Sequence, residues 1–247
     1  MALPLLITSE KLSGIQELRF GQSTRNGGVS PEPFGMNTSF RVGDHPDHVR
    51  ANRKKLLSQL GIERTEMAVP VQCHSDVVQV ARRPGEYPSC DGLVTDQIGL
   101  VLSISVADCL PIAMYDGVHK AVALVHSGWR GTAKGIARLA LQLMAREFRT
   151  DAAHLIVYLG PSAGVCCYEV GPEVAELFPP ECVEKRNGRL YLNLKEANRR
   201  QLLDLGVEER NIEVSPHCTI CEPRLFHSYR RDKERSGRMM AVARITN

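Results

Sequence analysis

The spacing of apolar and polar positions changes period repeatedly along the chain. Residues 15–20 read as a strand, and the turn-forming run Thr24-Arg25-Asn26-Gly27-Gly28, followed by Pro31 and Pro33, keeps the chain irregular to Asn37, in a loop that could line a pocket. Pro46 at a first helical position, Val49, Leu56, Leu57 and Leu60 at helical spacing, and Gly61 as terminator predict a helix over 45–60. Its polar face carries Arg50, Arg53, Lys54 and Lys55. Short apolar runs at 67–73, 77–81, 99–107, 111–115 and 120–125, separated by turn residues such as Asp116-Gly117, predict strands in quick succession. Ile136, Leu139, Ala140, Leu143 and Met144 share one face of a helix over 132–148, and a buried strand follows at 154–159. Pro172 is placed to open another helix. Asn187-Gly188 between 182–186 and 189–194 signals a hairpin, a helix over 195–205 stops at Gly206, and the last strands fall at 212–215, 225–230 and 239–245. Hairpins and helices are mixed rather than strictly alternating. The pattern therefore predicts an α+β fold, a layered α/β sandwich with mixed, largely hairpin-connected sheets, in preference to a doubly wound parallel sheet. No repeat, low-complexity tract or Gly/Ser linker marks a boundary, so residues 1–247 are read as a single catalytic domain.

Composition narrows the class. With 247 residues, 43% of them hydrophobic and 24% charged, the chain can bury a core of its own and is neither disordered nor collagen-like. Its longest apolar stretch, 99–107, stops at Asp108, short of the ~18 residues a membrane span needs. Residues 1–7 carry an apolar patch without a basic region, and Glu10 and Lys11 follow, so the chain is read as cytoplasmic, unprocessed and without a membrane partner. Its eight cysteines are then expected to be reduced thiols. The net charge of +3 is accounted for by Arg230, Arg231, Lys233, Arg235 and Arg238 against Asp232 and Glu234, which read as a solvated tail rather than a nucleic-acid footprint. Aromatics at 5% offer few platforms for stacking bases. A monomer is the default expectation.

Three segments place a metal-type ligand beside a strand end: Gln72-Cys73-His74-Ser75-Asp76, Ala107-Asp108-Cys109-Leu110-Pro111 and Val125-His126-Ser127-Gly128-Trp129-Arg130-Gly131. His74, Cys109 and His126 stand 35 and 17 residues apart, too far for a local knuckle, so they meet only if their strands pack side by side. Two imidazoles and a thiolate would suit Zn²⁺ with a fourth position open to water or substrate. The alternative is a pair of satisfied core histidines and a buried free thiol. Asp76, two residues after His74 on the same strand face, could orient an imidazole, whereas Cys73 should point to the opposite face and pack. A rival metal candidate, Pro216-His217-Cys218-Thr219-Ile220-Cys221, has a single Cys-x-x-Cys without a second, and the His-x-Glu of base deaminases is missing, so its cysteines are read as buried thiols. Cys166 and Cys167 adjoin each other in a glycine-containing turn. No phosphate-binding Gly-rich loop of the GxxxxGKS/T or GxGxxG kind is present.

In order along the chain, Thr24-Arg25-x-Gly27-Gly28-Val29-Ser30, Gln72-x-His74-Ser75, Asp91-Gly92-Leu93-Val94-Thr95, Ala107-Asp108-Cys109, His126-Ser127-Gly128-Trp129-Arg130-Gly131 and Gly160-Pro161-Ser162 resemble the motifs of the YfiH-type family. Its members have been called laccase-domain or polyphenol oxidase proteins and are now described as purine nucleoside phosphorylases. The resemblance extends from about Thr24 to Arg244 and includes Cys218-Thr219 and Phe226-x-Ser228-Tyr229-Arg230-Arg231. It implies metal ligation by His74, Cys109 and His126, and phosphate-dependent cleavage of adenosine, inosine and methylthioadenosine, with hydrolytic deamination of adenosine. By the same resemblance Asn37 and Arg53 lie at the nucleoside, while Arg53 and Arg130 are the candidates for holding phosphate. A zinc-bound Cys109 is a poor free nucleophile, so zinc and covalent cysteine mechanisms exclude each other, and zinc is preferred. The competing readings are a cysteine hydrolase or amidase editing cell-wall precursors, with Cys109 as nucleophile and His126 as base, a copper polyphenol oxidase, and a metal- or partner-binding protein without turnover. Cu²⁺ would fit the same ligands, yet a multicopper oxidase needs paired His-x-His motifs, and among eight His there is none, His45 and His48 being the closest pair.

Overall fold

A computed structural model describes residues 3–63 and 66–247. In chain order its strands are β1 (Leu6–Ile7), β2 (Leu18–Ser23), β3 (Ala68–Pro70), β4 (Val78–Val80), β5 (Gly85–Tyr87), β6 (Gly92–Thr95), β7 (Val101–Val106), β8 (Leu110–Asp116), β9 (Ala121–Ser127), β10 (Ile156–Leu159), β11 (Glu169–Val170), β12 (Val183–Arg186), β13 (Arg189–Leu192), β14 (Ile212–Val214) and β15 (Met239–Ile245). The helices are α1 (Glu10–Ser13), α2 (Pro46–Gln59), α3 (Trp129–Ala133), α4 (Ile136–Phe148), α5 (Pro172–Ala175), α6 (Leu194–Leu203) and α7 (Tyr229–Asp232). The strands form two mixed six-stranded sheets, β1-β2-β15-β7-β3-β5 and β14-β10-β8-β9-β6-β4, and a small antiparallel one, β11-β13-β12.

Alternation along the central strands explains the layering. Met239, Ala241, Ala243 and Ile245 of β15 face the second sheet, with Leu102 and Ile104 of β7 and Ala113 and Tyr115 of β8, whereas Met240 and Val242 turn outward to Leu56 and Leu57 of α2. On the far side Leu110, Ile112 and Met114 of β8 pack against Ile136, Ala140 and Met144 of α4. Strands apolar on both faces can lie only inside such a stack, so the layers run α2, first sheet, second sheet, then α4 and α6. This is the expected α/β sandwich, with tight hairpins at β8–β9 and β12–β13.

Several expected elements are shifted, each for a local reason. The 15–20 strand starts at Leu18, because Ser9 caps a short helix and the chain then turns through Ile15. The 67–73 run pairs only over Ala68–Pro70, since the backbone N–H groups of Cys73, His74 and Ser75 go to the Asp91 carboxylate instead of a neighbouring strand. The 132–148 helix is two helices: Gly135, at φ +78°, breaks the chain between α3 and α4, and Leu139 is only half-buried. Residues 225–230 form no strand. Ser228 caps α7, accepting from Arg231 N–H at 3.2 Å, and Asp108 takes the Arg230 N–H. The 45–60 helix matches closely, with His45 as cap and Pro46 in its first turn.

Candidate metal centre and active site

The register of β8, β9 and β6 builds the centre. Leu110 and Pro111 lie opposite Ser127 and His126, and Gly92 lies opposite Val125. Extended by one residue, the same ladders set Cys109 against Gly128 and Asp91 against His126, whose N–H donates to Asp91 O at 2.7 Å. His74 arrives from the chain before β4, with its backbone left-handed at φ +60°. One donor atom each of His74, Cys109 and His126 lies within 4.8 Å of the others, and the two imidazoles meet edge to face with centroids 5.0 Å apart. Exposure is graded across the three: His126 is buried, Cys109 half-buried and His74 exposed, so the group opens to solvent on the His74 side.

Asp91, fully buried, organises this group. Its Oδ1 accepts from His126 Nδ1 at 2.8 Å and from His74 N–H at 3.0 Å, while Oδ2 accepts from Ser75 N–H at 2.7 Å and Ser75 Oγ at 2.8 Å. With Nδ1 committed, Nε2 is the His126 nitrogen left for an ion. Asp76, expected in this role, pairs with Lys134 at 3.4 Å, because the left-handed turn at His74 ends the strand periodicity that would have put both side chains on one face. For the same reason Cys73 does not pack in the core; it is exposed, with Sγ 3.6 Å from Asp91 Oδ2.

Burial disfavours charge on Cys109, yet His126 and His74 outweigh it and bring the thiol down to about 6. Burial likewise opposes charge on His126, and Cys109 and Asp91 reverse this, raising the imidazole to about 10. Burial pushes the Asp91 carboxyl up, but the His126 and Ser75 hydrogen bonds hold it well below the usual carboxylate range. The donor set suits zinc: a thiolate-forming cysteine, two imidazoles with one ring fixed by a carboxylate, and an open side. Gly128 leaves the space for it, since a Cβ there would stand 2.9 Å from Cys109 Sγ and 3.3 Å from His74 Cδ2.

Asp108, left-handed at φ +86°, draws the C-terminal segment onto the centre. Its Oδ1 accepts from Thr219 Oγ1 at 2.7 Å, and its Oδ2 from Ser228 Oγ at 3.0 Å and Arg230 N–H at 2.6 Å. Arg230 then lies over the Tyr168 ring at 5.0 Å and donates to Glu169 O at 2.7 Å. Trp129, Tyr168 and Arg230 line a cleft of about 510 Å³. The three ligands are not themselves part of its wall. Tyr168 connects the two, its phenol pushed up by burial first and then by the neighbouring charge of Cys109.

Of the other expected site residues, Arg130 is exposed with its guanidinium 4.3 Å over the Trp129 ring, at the edge of this cleft. Arg53 lies half-buried on α2, its Nε donating to Thr38 O at 2.7 Å, its guanidinium 4.5 Å over Phe40, and its pKa lowered by burial to about 10. Asn37 is fully buried; its amide donates to Ser39 O and Asp44 Oδ2, both at 3.0 Å, and its Oδ1 accepts from Ser39 and Arg238 N–H. It bears on the centre through Arg238, whose side chain is lowered by burial and raised by several charges that include Asp108 and Cys109. Asp91, Asp108, Gly128 and Arg230 were each visible in the ordered motifs, but no spacing rule assigned them a task. The Cys-x-x-Cys at 218–221 is not a pair of buried thiols either: Cys221 is exposed, and both sulfurs gather with Cys166 and Cys167.

A family model described as multi-copper polyphenol oxidoreductase laccase matches residues 19–246, nearly the whole chain. The chain belongs to this family. It is 37% identical over 240 residues to purine nucleoside phosphorylase YlmD of Geobacillus stearothermophilus, covering 90% of this chain and 88% of the relative. It is 35% identical over 222 residues to adenosine deaminase RL5 of an unknown prokaryotic organism, covering 83% and 84%. The crystal structure of the Bacillus licheniformis hypothetical protein YfiH superposes with a TM-score of 0.92 at 33% identity, covering 99% of this chain and 97% of that one. The layered fold is thus common to the family. Among the described residues no helix is long and apolar enough to cross a membrane.

Proposed function

We propose that this chain is a zinc-dependent purine nucleoside phosphorylase that cleaves adenosine, inosine and methylthioadenosine with phosphate and also deaminates adenosine. The observation that carries this reading is the His74, Cys109, His126 group, with its Asp91-fixed imidazole and its solvent-facing side, beside a cleft bounded by Trp129, Tyr168 and Arg230. Relatives named purine nucleoside phosphorylase and adenosine deaminase support both activities. His74, Cys109 and His126 would hold the ion. When bound, zinc supplies Lewis acidity, which polarises an electrophile and acidifies water near neutral pH.

The remaining work falls to the chain's own groups. Asp91 keeps the His126 proton on Nδ1 and prevents the ring from turning. Phosphorolysis requires an anion held against C1′ of the sugar, and Arg130, exposed at the cleft edge, and Arg53 are the guanidiniums for it. Asn37 belongs to the nucleoside region as a positioning residue, because its amide already fixes the Arg238 backbone. One His₂Cys set holds one ion, and the sequence has no His-x-His, so four-electron reduction of oxygen by a trinuclear copper cluster has no ligands here.

A second reading has a specific observation behind it. Cys109, His126 and Asp91 stand in the order nucleophile, base and orienting carboxylate, as in a cysteine hydrolase. His74 favours the metal reading over it, since a nucleophile requires one base and the second imidazole adjoins the same sulfur. The test is an assay of adenosine with and without phosphate, with elemental analysis of the same sample. Adenine and ribose 1-phosphate formed only with phosphate, on zinc-bearing protein, support the proposal. Absence of turnover on every purine nucleoside rejects it, and chelator-resistant activity with iodoacetamide labelling of Cys109 favours the hydrolase.

A further inference from the structure

Away from the histidines, a second group of metal-type ligands lies near the surface. Cys166 and Cys167 come from the loop after Gly160-Pro161-Ser162, and Cys218 and Cys221 from the segment after β14; all four sulfurs lie within 4.8 Å of one another. A parallel bridge between Ser162 and Cys218, with Thr219 N–H on Ser162 O at 3.0 Å, brings the two segments together. We propose that Cys166, Cys167, Cys218 and Cys221 bind a structural zinc ion in a closed four-sulfur site that fastens the Tyr168 loop to the segment anchored on Asp108.

Three features distinguish this group from a chance gathering of thiols. Zinc–sulfur bonds of about 2.3 Å in a tetrahedron set sulfur–sulfur edges of about 3.8 Å. The sulfurs here all lie within 4.8 Å of one another, with Cys166 and Cys221 at 3.3 Å, near that edge and well beyond the ~2.05 Å of a disulfide. Second, the backbone is arranged around sulfur: Gly164 N–H donates to Cys218 Sγ at 3.2 Å, and the Cys221 N–H acts on the same atom. Such bonds stabilise ligating thiolates. A Cβ at Gly164 would stand 3.2 Å from Cys166 Sγ and 3.3 Å from Cys218 Sγ, so the turn fits closely under both. Third, four thiolates on a divalent ion leave two negative charges, and the buried Lys195, with Nζ 2.6 Å from both Ser215 O and His217 O, stands close enough for its charge to act on Cys166 and Cys218.

The consequence reaches the cleft. Thr219, inside the Cys-x-x-Cys, donates to Asp108 beside Cys109, and Tyr168 follows Cys167 directly on the cleft wall. An ion at the four sulfurs would therefore hold that wall in register with the triad, closing a connection between segments 51 residues apart.

These ligands are separate from the His74, Cys109, His126 group, so the two sites can be tested independently. A His74→Ala/Cys109→Ala double variant of the full chain, purified after growth with zinc, should retain about one equivalent of zinc, with X-ray absorption showing sulfur neighbours alone at about 2.3 Å. Cobalt exchanged into this protein should give the intense sulfur-to-metal charge-transfer bands of a tetrathiolate. Adding Cys166→Ser and Cys221→Ser should remove the ion and lower the melting temperature. A well-folded double variant that takes up no zinc, a shell containing nitrogen or oxygen, or a Cys166–Cys221 disulfide in protein prepared without reductant would each overturn the proposal. The double variant alone is decisive if the cysteine-to-serine protein does not fold.

Discussion

Asp91→Asn tests how the centre is held. The carboxylate accepts from Cys73 N–H at 3.2 Å, His74 N–H at 3.0 Å, Ser75 N–H at 2.7 Å, Ser75 Oγ at 2.8 Å and His126 Nδ1 at 2.8 Å. An amide keeps the shape but turns one acceptor into a donor. With the NH₂ on the Oδ2 side, the N–H groups of Cys73 and Ser75 lose their acceptor. Two charge-assisted bonds at about 1.5–3 kcal/mol each make that loss about 3–6 kcal/mol. With the NH₂ on the Oδ1 side, His126 must accept at Nδ1, so its proton moves to Nε2, the nitrogen left for an ion. Zinc affinity then falls by about 10–100-fold, the usual effect of losing such a partner. Either orientation is costly, and the amide will adopt the less costly one. Urea denaturation reads the first outcome, and zinc titration against a chromophoric chelator reads the second. A variant unchanged in both denaturation midpoint and zinc affinity would refute the role given to Asp91.

Three further outcomes follow from the same geometry. Gly128→Ala should fold, because φ −76° and ψ 173° suit any residue, yet its methyl would crowd Cys109 Sγ and His74 and weaken zinc binding by about tenfold or more; normal circular dichroism with undiminished zinc affinity would contradict this. Arg130→Ala should raise KM for phosphate about tenfold, roughly 1.4 kcal/mol, with little change in melting temperature; steady-state kinetics at varied phosphate decides, and an unchanged KM removes Arg130 from the anion site. His227, held at about 3 by burial and by the Arg25 charge, predicts acid sensitivity. Stability from this group is complete above pH 6.5 and declines as pH falls toward about 3, because the unfolded chain takes up a proton that the folded chain refuses. By pH 5 the loss is about 2 kcal/mol. His227→Leu should flatten that slope in denaturation curves between pH 5 and 6.5, and parallel curves for both proteins would show that another group is responsible.

The parts of the fold that were legible in the sequence are those whose residues are positioned by burial. The apolar runs of β7, β8, β9 and β15 and the face of α4 follow the periods that two-sided burial imposes. Where backbone hydrogen bonds go to side chains instead of strands, periodicity misleads. Asp91 ends the run after Pro70, and Asp108 converts 225–230 into a loop and a capped turn. The site divides in the same way. His74, Cys109 and His126 were recognisable as ligand types beside strand ends, but their convergence depends on the β8–β9 and β6–β9 registers, which no local window contains. Asp76 looked like the orienting acid only so long as the strand was assumed to continue through His74. The four-cysteine group was obscured for a different reason: its second pair is adjacent in sequence and distant from the first, without the spacing that identifies a zinc ribbon.

The two buried carboxylates flanking Cys109 narrow the choice of proton-transfer groups. Burying an unpaired charge costs several kcal/mol, and Asp91 stays charged because N–H and O–H donors surround it. Asp91 gathers its donors from the 73–75 turn and β9, and Asp108 gathers its own from the 219–230 segment. Asp91, with five donors on about four lone-pair sites, has none left to offer a substrate, and protonating it would break the bonds that shape the centre. Asp91 is therefore not suited to be the general acid or base. Both act by placement: Asp91 sets the tautomer and reach of the imidazoles, and Asp108 sets the C-terminal wall that carries Arg230 toward Tyr168. Proton transfer to or from a bound substrate then falls to groups other than Asp91, such as those that face the opening on the exposed His74 side or along the cleft beyond Trp129.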